Sequence, residues 1–198
     1  MRRISTVVAA AALAGCANLG GGDWQTLIEG DRGMDNFNRV GGANWHTQDG
    51  AIVADHGKPG FLVTQQPYGD FEIRAEFFAQ TDTNSGIFIR CSTPEPGGPT
   101  CYEVNVWDIR PEPKYATGAI VDVAQVPVPL IYKAGGRWNT YEITARGSHL
   151  TVRLNGVVTA DVEDAKHSSG YIGLQYGPGV KGATGGIIKW RKVQIRSL

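Results

Sequence analysis

The 198-residue sequence has no excess of either charge and lacks the patterns that mark several kinds of functional site. It contains 19 Lys and Arg residues against 19 Asp and Glu, and the basic residues are scattered. A nucleic-acid surface is not expected, because such surfaces concentrate basic residues on one face. The four histidines lack metal-ligand spacing, and no G-x-S-x-G motif of a nucleophilic hydrolase is present.

Long stretches of apolar residues at helical spacing are also missing. Short β-branched and aromatic runs alternate instead with turn residues, and the 27 glycines are about twice the usual ~7% share. Turn signals recur about every ten residues, which favours a β-sandwich or barrel over βαβ units. We therefore predict an all-β fold, a two-sheet jelly-roll sandwich with one face of the inner sheet open as a groove.

Alternation of side chains predicts the strands and the faces they present. The predicted strands are 51–56, 60–65, 70–79, 85–91, 101–108, 118–123, 138–147, 149–156, 170–176 and 187–195. Within 85–91, Ile87, Ile89 and Cys91 are expected to face the core. Phe88 and Arg90 then lie on the opposite face.

The segment CYEVNVWD (101–108) combines strand alternation with two carboxylates. Glu103, Asn105 and Trp107 are predicted to share one face, whereas Asp108 has the opposite parity. Asp108 could join that face through a β-bulge near Trp107, or by reaching around the strand end. If 85–91 and 101–108 form a hairpin, Arg90 lies near Glu103, either as part of a site or as a surface ion pair.

The first residues have the layout of an export signal. Residues 1–15 combine a basic start with an apolar run that is too short to span a bilayer. LAGC at 13–16 resembles the bacterial lipobox, which predicts that Cys16 is lipidated; the alternative is an ordinary signal peptide with a chance Cys. Residues 16–22 would be a tether and 23–198 the jelly-roll domain. Ala17 indicates the periplasmic face of the outer membrane, in a two-membrane host.

Two cysteines remain besides Cys16. An exported protein folds in an oxidising compartment, so a disulfide between Cys91 and Cys101 is expected. The alternative is a pair of free thiols. No other residues are placed to complete a zinc site with them.

Several blocks occur in the order of one bacterial family. They are DWQTLIEGD (23–31), NWHTQDGAIV (44–53), NSGIFIR (84–90), YEVNVWD (102–108), TGAI (117–120), RWNTYEI (137–143), LNG (154–156) and GYIGLQY (170–176). Together they resemble the 3-keto-disaccharide hydrolase domain, also described as a 3-keto-glucoside lyase and 3-keto-glucal hydratase domain. The resemblance implies a concanavalin A-like jelly roll. Cys101, Asn105 and Arg137 stand where the family usually has Gly, Gln and Glu.

The resemblance also implies a reaction on a 3-keto-glucoside or disaccharide. A ketone at C3 acidifies the C2 proton, a base removes it, the C1 oxygen leaves by β-elimination, and water adds to the enone. We expect Glu103 to be the base and Arg90 the oxyanion stabiliser. Asp108 would assist or bind a cation. No cofactor is certain, but a divalent metal could replace Arg90 as electrophile.

The remaining expectations concern substrate binding and rival functions. The residues expected to hold the sugar are Asn105, Trp107, Gln175 and Tyr132. One rival is a non-catalytic carbohydrate-binding module that uses the same groove, with Trp107 and Tyr102 or Tyr132 as stacking platforms. Another is a lipid-anchored structural protein of the cell envelope.

Overall fold

The computed structural model describes residues 22–179 and 185–198. The predicted signal peptide at 1–15, the lipidation site Cys16 and nearly all of the tether at 16–22 lie outside the described residues and remain predictions. Among the residues described, no helix has the length and apolar character needed to cross a membrane.

The described residues form eleven strands and two short 3₁₀ helices. The strands are β1 (Gln25–Glu29), β2 (Phe37–Gln48), β3 (Ala51–Thr64), β4 (Phe71–Ala79), β5 (Ser85–Cys91), β6 (Tyr102–Val106), β7 (Arg137–Arg146), β8 (His149–Leu154), β9 (Val157–Glu163), β10 (Tyr171–Tyr176) and β11 (Ile188–Ser197). The 3₁₀ helices are Met34–Asn36 and Pro113–Tyr115.

The strands form one antiparallel sheet that folds over on itself. Its order is β6-β5-β10-β3-β11-β4-β7-β8-β9, with β1 paired to β11 and β2 paired to β3. One buried cluster contains side chains from both ends of this order, such as Ile87 and Val104 from β5 and β6 and Ile143 and Val152 from β7 and β8. The sheet therefore encloses its core between two halves, which confirms the predicted all-β jelly-roll fold. We call the core side of the sheet the inner face and the opposite side the outer face.

The structure differs from the sequence prediction mainly at the sheet edges. The predicted strands 51–56 and 60–65 are one strand, β3, and the sequence pattern does not predict β1, β2 or β9. Residues 118–123 form only isolated bridges, between Val104 and Ile120 and between Ile120 and Ala124. The predicted strand there is wrong because the segment turns back after Ile120 instead of continuing along β6.

The alternation of β5 is interrupted at Arg90, whose φ of 52° lies in the left-handed region. The register between β5 and β10 shifts at the same end of the strand, as expected of a β-bulge. Cys91 consequently packs with Phe88 and Cys101 rather than with the main core, which corrects its predicted inward orientation. Cys91 and Cys101 form the predicted disulfide.

The Arg90 side chain is fully buried and joins three connecting loops. Its Nε donates to the Gly69 carbonyl (3.2 Å), Nη1 donates to the carbonyls of Gly147 (2.6 Å) and His167 (3.1 Å), and Nη2 donates to the Asp70 carboxylate (2.9 Å). The sequence suggests an oxyanion stabiliser at this position. In the structure every guanidinium nitrogen already has a protein acceptor, so the Arg90 side chain has a structural role: it holds the three loops together.

Replacing Arg90 with Met is expected to destabilise the fold by about 3 kcal/mol, because buried carbonyls lose their donor and Asp70 loses its cation. Urea unfolding followed by tryptophan fluorescence measures the change. The matched control is Arg74→Met, since Arg74 is exposed and lies 3.6 Å from Glu142, a pair worth less than about 1 kcal/mol. A loss for Arg90→Met no larger than the loss for this control would contradict the structural role.

Candidate functional site

The outer face of β5, β6 and β10 carries a row of polar side chains. In the β5–β6 ladder, Phe88 lies opposite Glu103 and Gly86 lies opposite Asn105. The pairing of β10 with β5, extended by one residue beyond Leu174 and Ile87, places Gln175 opposite Gly86. Directly paired residues point to the same side of a sheet. The structure therefore brings Glu103, Asn105 and Gln175 to one face.

Gly86 separates the two amide side chains on this face. A Cβ atom at Gly86 would lie 2.8 Å from the Val104 carbonyl oxygen and 3.6 Å from Glu103 Cγ. The glycine therefore leaves bare backbone beside Glu103. Because neighbouring strands are about 4.8 Å apart, the backbones that carry Asn105 and Gln175 are separated by roughly 10 Å.

The loop closed by the disulfide, residues 92–100, forms one wall of the site. Pro96 lies over β10, since a Cβ atom at Gly173 would be 2.9 Å from Pro96 Cγ. Gly98, in the same loop, lines a cavity together with Cys101 and Glu103. The disulfide thus holds this loop against the face that carries Glu103.

Glu103 opens into a cavity of about 130 Å³. The cavity is lined by Gly98, Cys101, Tyr102, Glu103, Val121, Asp122, Val123, Asp164 and Lys166. Sites that enclose a whole drug-sized ligand usually measure about 300–1,000 Å³. The cavity therefore has room for part of a sugar, and the rest of a ligand would lie outside it.

A second cavity of about 160 Å³ lies on the outer face of β4, β7 and β8, beside Trp24. Three of its four charged side chains have ion-pair partners, and the fourth, Arg153, lies opposite Glu142 in the β7–β8 ladder. Arg74 pairs with Glu142 at 3.6 Å and stacks over the Trp24 ring at 4.6 Å. Glu72 is paired with Arg196. These charges already neutralise one another, so we place the candidate site at Glu103.

Burial raises the pKa of Glu103 to about 7, while the positive charge of Arg110 lowers it and the negative charge of Asp122 raises it. The burial comes in part from residues 119–121, which run along the free edge of β6; Val121 N donates to the Glu103 carbonyl at 3.0 Å. A carboxyl group with a pKa near the working pH can accept and return a proton efficiently.

Four buried polar atoms in this region have no hydrogen-bond partner among the described residues. They are Asn105 Oδ1, Trp107 Nε1, Arg110 Nε and Gln175 Oε1. The other polar atom of the Asn105 amide, Nδ2, donates to the Tyr115 carbonyl at 2.6 Å. The side chains of Trp107, Arg110 and Gln175 are partly exposed, whereas Asn105 is fully buried.

Asp108 lies in a turn beyond the end of β6 and does not join Glu103. Its carboxylate accepts hydrogen bonds from Thr117 Oγ1 (2.6 Å) and from the backbone N–H groups of Ala134 (3.0 Å) and Gly135 (2.8 Å). The expectation that Asp108 reaches the Glu103 face is wrong, because β6 ends at Val106 without the predicted bulge. These bonds instead fix the segment that follows the strand.

The remaining predicted residues occupy different positions. Tyr132 packs against the main core, and neither Tyr132, Asn105 nor Gln175 lines the Glu103 cavity. Within 22–179 and 185–198, no group of three or more His, Cys, Asp or Glu side chains is arranged to hold a metal ion. Glu103, Asn105 and Gln175 thus share a face, whereas Arg90, Asp108 and Tyr132 lie elsewhere.

Sequence reasoning missed two charged residues that act on Glu103, namely Arg110 and Asp122. Both lie in the irregular segment between β6 and β7, where neither strand nor helix periodicity indicates which way a side chain points. The only available signal is proximity in sequence, because Arg110 follows the YEVNVWD block by two positions.

Several solved structures share this fold. A provisionally named glycosyl hydrolase from Parabacteroides distasonis ATCC 8503 is 24% identical, with 89% of this chain and 100% of that chain covered and a TM-score of 0.70. A second protein of that strain, named in the same way, is 15% identical, with 88% and 94% covered and a TM-score of 0.70. The carbohydrate-binding module CBM66 from Bacillus subtilis is also 15% identical, with 91% and 98% covered and a TM-score of 0.59.

These structural likenesses establish the fold and leave catalysis and simple binding undistinguished. None of the curated protein sequences compared with this chain matches it. The family model of the 3-keto-alpha-glucoside-1,2-lyase-like domain matches residues 23–196. Because that match spans nearly the whole chain, the protein belongs to the 3-keto-alpha-glucoside-1,2-lyase-like domain family.

Proposed function

We propose that the protein hydrolyses 3-keto-glycosides and that Glu103 is the base that removes the C2 proton. The observation that most supports this proposal is the environment of the Glu103 carboxyl group. Glu103 borders a cavity at the β6 edge of the sheet, and burial raises the pKa of its carboxyl group to about 7. A surface carboxylate with an ordinary pKa near 4.3 would be a weaker base.

In the proposed reaction Glu103 removes the C2 proton and later returns a proton to C2. Glu103 takes the proton from C2, and the electron pair of the C2–H bond forms an enolate with the C3 ketone. The enolate then expels the C1 oxygen, which leaves as an alcohol after it takes up a proton. Water adds to C1 of the enone and C2 regains a proton, so the balance is one glycoside plus one water giving a 3-keto sugar and an alcohol.

The same face offers groups suited to hold a sugar. Gln175 Oε1, on a partly exposed side chain, and Asn105 Oδ1, on a fully buried one, are acceptors without partners among the described residues, and sugar hydroxyls are donors. Leaving a buried acceptor unpaired costs about 1–3 kcal/mol, which a bound hydroxyl would recover. The partly exposed Phe61 packs edge to face on the buried Phe88, with ring centroids 5.0 Å apart, and gives this part of the face an apolar surface.

Replacing Glu103 with Gln is expected to lower the release of alcohol from a 3-keto-glucoside by at least ~100-fold, because the amide cannot accept the C2 proton. The assay follows the alcohol by chromatography under single-turnover conditions. Glu142→Gln is the matched control, since Glu142 is a partly exposed residue on β7 that does not line the Glu103 cavity. Unchanged turnover by the Glu103 variant would exclude Glu103 as the base.

The pH dependence gives a second prediction. Since the base must be deprotonated, kcat/KM is expected to rise with pH through about 7. A flat profile between pH 5 and 9 would contradict the assignment.

The same pKa affects stability independently of any substrate. Because the folded pKa of Glu103 is about 7 and its ordinary value is 4.5, the protonated group favours the folded state. This contribution is complete below pH 4.5 and is lost as the pH rises to about 7. The free energy of unfolding of Glu103→Gln, relative to that of the unmodified protein, is therefore expected to be higher at pH 8 than at pH 5.

A non-catalytic carbohydrate-binding module is the alternative function. The unpaired amide acceptors favour it as much as they favour catalysis, because they would bind hydroxyls in either case. Calorimetry with a 3-keto-glucoside and with the corresponding unoxidised glucoside, alongside the release assay, separates the two. Binding of either sugar without release of alcohol would support the binding module and overturn the hydrolase.

A further inference from the structure

We propose that an apolar patch beside Glu103 binds the leaving group of the substrate, and that the protein prefers 3-keto-glycosides whose leaving alcohol carries an aromatic ring. The patch consists of Phe61, Phe88, Pro96, Tyr171 and the Cys91–Cys101 disulfide. This inference rests on the proposed function, because there is a leaving group only if the glycoside is cleaved.

The apolar patch is continuous with the surroundings of Glu103. Phe88 lies directly opposite Glu103 in the β5–β6 ladder, so the two side chains point to the same side of neighbouring strands about 4.8 Å apart. Cys101 belongs both to the lining of the Glu103 cavity and to the patch. A substrate held at Glu103 is therefore next to the patch.

A glycine on β10 lets an aromatic ring from β3 reach across to Phe88. Gly173 lies opposite Phe88 on β5, and a Cβ atom there would be 3.3 Å from Phe61 Cδ1. The Phe61 ring consequently leans over β10 and packs on Phe88. The same Cβ atom would be 2.9 Å from Pro96 Cγ. Phe88 is buried, whereas Phe61 and Pro96 are partly exposed, so these two rings are accessible to a ligand.

The position of Pro96 is fixed before any ligand binds. Its loop, STPEPGGPT (92–100), contains three prolines, each of which restricts φ. Ser92 N donates to the Thr100 carbonyl at 2.9 Å, and Thr100 N donates to the Gly97 carbonyl at 2.9 Å. Together with the disulfide, these bonds limit the conformational entropy that the loop loses when a ligand binds.

The neighbours of Phe61 favour an aromatic leaving group over a second sugar. On this face Phe61 lies opposite Gln175 on β10 and Val40 on β2, and Val63 follows it on β3. A second sugar would bring several hydroxyl groups to a surface where Gln175 is the polar neighbour, and burying a hydroxyl without a partner is unfavourable. An aromatic ring has no such groups and gains edge-to-face or stacked contacts with Phe61.

The chemistry of the substrate determines which part of it faces the patch. C2, whose proton Glu103 removes, is bonded to C1 on one side and to C3 on the other. Asp122, Asp164 and Lys166 line the cavity beside Glu103, and these polar side chains suit the ketone and the ring hydroxyls. With that side of the sugar in the cavity, the C1 oxygen and its leaving group extend the opposite way, over Phe88 and Phe61.

The test compares benzyl and methyl 3-keto-glucosides, each prepared as the α and the β anomer. Benzyl alcohol and methanol have similar acidity, so the two substrates differ mainly in the apolar group that they present. The unmodified protein is expected to show a kcat/KM about 10-fold higher for the benzyl glucoside, the effect of one favourable aromatic contact. Phe61→Ala should abolish this preference and leave kcat/KM for the methyl glucoside nearly unchanged.

Matched variants separate a specific contact from a general loss of structure. Phe78 is also a partly exposed aromatic residue, on β4, where it packs against Trp138; Phe78→Ala should keep the benzyl preference. Pro96→Ala should reduce the preference, whereas Pro94→Ala, at an exposed position of the same loop, should not. Partial unfolding would lower kcat/KM for both glucosides equally, so the ratio of the two values is the readout.

Calorimetry gives a readout that does not depend on cleavage. In Glu103→Gln, which is expected to bind substrate without cleaving it, the benzyl 3-keto-glucoside should bind more tightly than the methyl 3-keto-glucoside. Adding Phe61→Ala to this variant should make the two dissociation constants similar. Equal affinities before Phe61 is changed would contradict an aromatic subsite.

The outcomes distinguish this proposal from the proposed function. Release of both alcohols with equal kcat/KM would overturn only the leaving-group subsite, and so would a benzyl preference that survives Phe61→Ala. If the unmodified protein releases neither alcohol, the proposed function fails and the assignment of the patch to a leaving group fails with it.

Discussion

The left-handed backbone at Arg90 is the constraint on which the candidate site depends. Regular alternation would send Cys91 into the core. The bulge places Cys91 on the outer face beside Phe88 and Cys101. There it can bridge to Cys101 and hold residues 92–100 over β10. The Arg90 guanidinium meanwhile binds three loops at the end of the sheet, and these hydrogen bonds offset the cost of an unfavourable φ, of order 1–3 kcal/mol.

Glu103 is buried by two segments of the chain that meet over the edge of the sheet. The disulfide loop approaches from one side, through Gly98 and Cys101. Residues 119–121 approach from the other side and complete the β6 edge. Neither segment forms an extended strand of its own, yet together they remove Glu103 from water and raise its pKa to about 7. A carboxyl group on an uncovered edge strand would keep the pKa of a surface acid.

Sequence alone predicts the central strands and half of the site. β4, β6, β7, β8 and β10 alternate clearly because one face of each packs on the core, and the alternation of β6 and β10 places Glu103, Asn105 and Gln175. β1, β2 and β9 each pair with another strand on one side only. Fewer of the side chains in such edge strands pack on the core, so the alternation in their sequences is weaker. The bulge at Arg90 and the turn at 107–110 depend on tertiary contacts with distant residues, which no local pattern contains.

The distribution of unpaired polar atoms argues that the outer face of β5, β6 and β10 is built for a ligand. Native proteins pair nearly all of their buried polar groups. Seven buried side-chain atoms lack a partner among the described residues, and four of them belong to Asn105, Trp107, Arg110 and Gln175. If packing defects were the cause, these atoms would be spread over the sheet. The two acceptors, on Asn105 and Gln175, instead share the face of the sheet that carries Glu103, and the partly exposed Gln175 amide suits a sugar hydroxyl.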